Sequence, residues 1–101
     1  MDRTISHQQI NQRAFLGAAL MDPAGAYEYI LKLTPGMFDE GACRDTFAAI
    51  QRLTFAGDPV DPVTVVNMAT SATLSADDLK RNIMQMAETC PSVANLSLIH
   101  I

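Results

Sequence analysis

The sequence has no tryptophan, and aromatic residues make up only 6% of it. Positive charge is also scarce. Seven Lys and Arg stand against eleven Asp and Glu, giving a net charge of −4. Autonomous binding to a DNA backbone needs clustered cations. Here Arg3, Arg13, Lys32, Arg44, Arg52, Lys80 and Arg81 are scattered, and only the last two adjoin. The two cysteines, Cys43 and Cys90, form no CxxC pair, and we read them as buried reduced thiols in preference to a disulfide. No apolar run approaches the roughly 20 residues of a membrane span. The N-terminus, with Asp2 and the polar run from Ser6 to Asn11, is unlike a signal peptide. A cytoplasmic location without membrane contact is the default expectation.

Catalytic signatures are missing as well. There is no Gly-Lys dipeptide, and so no phosphate-cradling loop of the GxxxxGK[ST] type. His7 and His100 lie at opposite ends without partners and read as solvated residues, not metal ligands. The acidic pairs Asp39-Glu40 and Asp77-Asp78 fall at predicted helix starts, where carboxylates favour the helix dipole. That role is preferred to acid–base catalysis. No Ser or Thr pairs recognisably with a His. We therefore expect no catalytic residue, metal or cofactor in this chain. Met68, Met84 and Met86 could line an adaptable surface. Met86 reads as core, and Met84 is the better surface candidate.

What is present is helical periodicity from end to end, without strand alternation, repeats or low-complexity segments. A first helix from about Ser6 to Met21 carries Ile10, Ala14, Gly17, Ala18 and Met21 as a stripe, with Phe15, Leu16 and Leu20 beside it. So wide an apolar face predicts burial on more than one side. Gly17 would let a neighbouring helix approach closely. Asp22-Pro23 restarts the chain with a cap and a first-position proline. The second helix places Tyr27, Ile30 and Leu31 on an inward face, with Glu28 and Lys32 paired outside. Thr34-Pro35-Gly36 ends it.

The third helix, about Glu40 to Ala56, spaces Cys43, Phe47, Ile50 and Leu53 or Thr54 along one face, with a Glu40–Arg44 pair. Phe47 and Ile50 are expected in the core. Gly57 is suited to the left-handed conformation that closes a helix. Asp61 can cap the next helix, and Pro62 suits its first position. That fourth helix runs to about Ala69 with Val65, Val66 and Ala69 inward. Ser75 and Asp78 make a weak capping box before a fifth helix striped by Leu79, Ile83, Met86 and Cys90, with an Asp77–Arg81 pair outside. Pro91 stops it, and Ser92 opens a sixth that the chain does not complete. The expected fold is all-α, a compact bundle of about five to six short helices.

Several phrases in order carry a resemblance. They are Phe15-Leu16-Gly17-Ala18-Ala19-Leu20-Met21-Asp22-Pro23, Leu33-Thr34-Pro35-Gly36-Met37-Phe38, Phe47-Ala48-Ala49-Ile50, Gly57-Asp58-Pro59-Val60-Asp61-Pro62-Val63-Thr64-Val65 and Pro91-Ser92-Val93-Ala94-Asn95. Together they resemble the N-terminal domain of DnaB-type replicative DNA helicases. Asp39, Cys43 and Met37 depart from residues usual in that family, and Ser71 to Leu79 lacks its glycine pair. A chromosomal, plasmid or phage origin stays open.

The resemblance implies a parent that is a hexameric, ATP-driven helicase of bacterial replication. ATP and Mg would belong to a separate C-terminal motor domain, which would also contact DNA. The N-terminal domain would help assemble the ring as a trimer of dimers with other copies of itself, and would contact primase and the helicase loader. On this reading residues 1–5 are a flexible N-terminus and residues 6–95 are the helicase-like domain.

The end, Leu96-Ser97-Leu98-Ile99-His100-Ile101, matches the translation of a sequencing-library adaptor, so residues 96–101 are expected to be a non-native tail on a truncated fragment. Two alternatives stand beside the helicase reading. One is the helicase-binding C-terminal domain of primase. The other is a small helical DNA-binding protein, which should show a basic helix.

Overall fold

The computed structural model describes residues 2–88, with side chains from Gln12 onwards. Five α-helices follow one another: α1 Asp2–Met21, α2 Pro23–Lys32, α3 Gly41–Ala56, α4 Pro62–Met68 and α5 Ala76–Glu88. A single 3-10 turn, Pro35–Met37, stands between α2 and α3. No strand occurs among the described residues. The first helix begins earlier than the apolar stripe suggests, at Asp2 rather than near Ser6. The expected stop at Pro91, the cap at Ser92, the placement of Cys90 and His100, and the tail 96–101 lie outside the described residues, as does the side chain of His7.

Local chemistry sets the helix ends. Asp22 accepts a 3.1 Å hydrogen bond from the Gly25 N–H, and Pro23 takes the first helical position of α2. Gly57 closes α3 with φ 76°, a left-handed conformation, and the Asp58 N–H donates back to the Leu53 carbonyl at 2.9 Å. Ser75 Oγ accepts from the Asp78 N–H at 3.1 Å and starts α5.

The first and third helices form the centre. α1 packs against α2, α3, α4 and α5, and α3 touches α2, α4 and α5. Phe15, Leu16, Gly17, Ala18, Ala19 and Leu20 are all buried, so α1 is enclosed on every side along this stretch. The wide apolar face of the sequence therefore marks a central helix. Phe38 and Phe47 meet at 4.8 Å between ring centres, with Phe15 and the edge of Tyr29 completing the cluster. Phe47 and Ile50 are fully buried, as are Val65, Ile83 and Met86.

Two stripe assignments need correction. Met21 is 56% exposed, because the chain leaves α1 there and turns at Asp22. On α2 the inward residues are Ala26 and Ile30, whereas Tyr27 and Leu31 are 51% and 45% exposed. Small Ala26 faces the packed helices, and the larger residues are turned to solvent.

Candidate interaction surface

The helices are held in register by polar contacts that no local spacing announces. Arg13 on α1 donates from Nε and Nη2 to the two carboxylate oxygens of Glu40 at 2.9 and 3.0 Å. Nη2 also donates to Asn82 Oδ1 on α5 at 2.6 Å. One guanidinium thus ties α1, the cap of α3 and α5 in the planar two-pronged geometry favoured by Arg. The hydrogen bond to Glu40 raises the Arg13 pKa against the opposing effect of burial.

This arrangement replaces the expected Glu40–Arg44 pair. Glu40 has extended backbone at the cap, φ −83° and ψ 139°, so its side chain is not on the helix face it would share with Arg44. Arg44 instead donates to the carbonyls of Phe38 and Asp39 at 3.3 and 3.2 Å. The expected Asp77–Arg81 pair is likewise replaced by Arg81–Asp78 at 3.5 Å, which is largely exposed. Beside Arg13, buried Gln12 accepts from the Asp39 N–H at 3.0 Å. Gln51 donates to the Ile30 and Leu33 carbonyls at 2.8 and 2.7 Å, which satisfies the C-terminal end of α2. Asp39 and Glu40 therefore serve contacts between elements rather than the dipole of α3.

The connection from α3 to α4 is rigid. Asp61 Oδ1 accepts from the Thr64 N–H at 2.8 Å, and Thr64 Oγ1 accepts from the Asp61 N–H at 2.9 Å. This is a reciprocal capping box, with Pro62 at the first helical position. The Thr64 half of the box is additional to the Asp61 cap read from sequence.

A groove of 380 Å³ lies on one side of this loop, lined by Leu53, Asp58, Pro59, Thr64, Asn67 and Met68. A second, of 300 Å³, is lined by residues that include Ala24, Tyr27, Thr54, Asp58 and Pro59. Asp58 and Pro59 border both. Close by in sequence, Phe55 and Val63 are each 65% exposed.

Among the described residues no cluster of His, Cys, Asp or Glu could hold a metal ion. Cys43 is buried, and burial together with the charge of Glu40 pushes its thiol up to about 12, so it is protonated and unreactive at neutral pH. No helix among the described residues is long and apolar enough to cross a membrane.

The family model of the DnaB-like helicase N-terminal domain matches residues 5–99. The chain belongs to this family. No curated protein and no solved structure matches it. Within this DnaB-like domain, the six residues singled out from sequence take separate places. Gly17, Phe47 and Ile50 lie in the core, while Gly57, Asp61 and Pro62 shape the loop between the two grooves. Sequence reasoning missed Gln12, the Arg13–Glu40–Asn82 cluster and Gln51. Their partners lie 18 to 69 residues away, and no short spacing could reveal them. It also placed Tyr27 inward. Met84, favoured as a surface methionine, is exposed, and Met68 borders a groove.

Proposed function

We propose that this chain is the N-terminal assembly and protein-interaction domain of a hexameric, ATP-dependent replicative DNA helicase. The observation that carries the reading is the family match across residues 5–99. The match supports the helicase reading over the helicase-binding domain of primase. The parent unwinds duplex DNA during replication, and ATP, Mg and DNA belong to its C-terminal motor. This domain contributes contacts with other copies of itself, with primase and with the helicase loader, in the cytoplasm of a bacterium. It has no activity of its own.

The physical character of the surface supports this role. The described helices carry no basic face, the acidic residues outnumber the basic ones, and several large apolar side chains stand in solvent. The test against a DNA-binding protein is fluorescence anisotropy of a labelled duplex titrated with the chain at physiological salt. Unchanged anisotropy supports an interaction domain whose DNA contacts lie elsewhere in the parent. Saturable binding overturns it.

A further inference from the structure

The two grooves beside the α3–α4 loop share an unusual charge environment. They are lined by residues from two stretches of chain, 23–27 and 53–68. The charged residues in these stretches are Asp58 and Asp61, without a Lys or Arg, and Asp58 is the charged side chain that lines the grooves. Asp58 borders both grooves with its side chain exposed and, among the described residues, without an ion-pair partner. Tyr27, Phe55 and Val63, all more than half exposed, belong to the same stretches. Aromatic and aliphatic groups beside the Asp58 carboxylate, on a loop stiffened by a capping box and two prolines, form a preorganised surface.

We infer that the paired grooves dock a protein segment that presents apolar side chains flanked by Lys or Arg. The inference rests on the reading of this chain as an interaction domain and names the chemistry of one partner. The apolar side chains fill the grooves on either side of Pro59, and a cation meets Asp58 between them. Apolar groove filling supplies affinity, while the Asp58 carboxylate selects the charge of the incoming segment and speeds its encounter. A second copy of the chain is a poorer occupant. It carries net charge −4, and the outer side of its most amphipathic helix, α5, mixes Lys80 and Arg81 with Asp77, Asp78 and Glu88.

The test is an amide NMR titration of the 101-residue chain with two synthetic amphipathic helices. The two share one leucine face and differ only in flanking Lys or flanking Glu. The Lys peptide should shift the amides of Ala24, Tyr27, Thr54, Gly57, Asp58 and Met68, and should bind about tenfold more tightly than the Glu peptide. Asp58→Lys should remove most of that preference, and Lys80→Glu, on α5, should leave it. Asp58 has no side-chain hydrogen bond among the described residues, so its replacement leaves the fold intact. Four results would overturn the inference: no shifts, shifts centred elsewhere, equal binding of the two peptides, or concentration-dependent shifts of the groove amides without peptide, which would assign the face to a second copy. Failure here leaves the helicase reading standing, because the duplex titration tests that reading separately.

Discussion

At the scale of single residues, the loop from Gly57 to Thr64 shows how side chains settle backbone demands. Asp61 and Thr64 satisfy each other's N–H groups and free α4, only seven residues long, from dependence on its own weak cooperativity. Replacing Asp61 with Ala should cost about 1 kcal/mol, read as a lower midpoint in urea unfolding. An unchanged midpoint would refute the cap.

Cys43 gives a second prediction at this scale. Its folded thiol titrates at about 12, against an ordinary 9.0. The folded state therefore holds the proton more firmly than the unfolded chain. That contribution is complete below about pH 9 and is lost as pH rises towards 12, with a slope of at most about 1.4 kcal/mol per pH unit. Urea midpoints measured across this window should fall less steeply in Cys43→Ala than in the parent chain. Equal slopes would show that Cys43 contributes nothing to the alkaline loss.

Arg13 makes a third case. Its pair with Glu40 is two-pronged and about one quarter exposed on each side. A double-mutant cycle of Arg13→Met and Glu40→Gln should return a coupling of about 1 kcal/mol, above that of an ordinary surface pair.

At the scale of the element, each helix was legible to the degree that one face was apolar. In α5 the stripe Leu79, Ile83 and Met86 is buried as its spacing predicts. In α3 Cys43, Phe47, Ile50 and Leu53 follow the same rule. α2 resisted because its ten residues carry apolar side chains on several faces, and size misled: small Ala26 is buried while Tyr27 projects. A packed interface between helices rewards close approach as well as bulk. Ile30→Ala should therefore cost about 2–5 kcal/mol in urea unfolding, whereas Tyr27→Ser should stay within about 0.5 kcal/mol of the parent. A reversed order would return Tyr27 to the core. Polar contacts between elements were illegible for a simpler reason. Arg13 and Asn82 are 69 positions apart, and only the folded arrangement of α1 and α5 brings them together.

At the scale of the whole molecule, one small all-α domain encloses the Phe15–Leu20 stretch of α1 and offers outward an acidic surface with apolar corners. The family was legible in short blocks, and the four within the described residues hold the loop-forming Pro, Gly and Asp residues and the buried Phe and Ile residues. Their spacing is fixed by the fold itself. The two grooves were not legible, since the stretches that line them are separated in sequence and Tyr27, read from its spacing as inward, borders one of them. Membership of this domain in a replicative helicase is the central proposal, and it rests on the family match over residues 5–99. The most direct test of that claim is the complete reading frame in the genome of origin. A linker helix followed by an ATPase domain with a GxxxxGK[ST] loop is the predicted result. An unrelated continuation, or zinc-ribbon and polymerase-core coding sequence upstream, would contradict it.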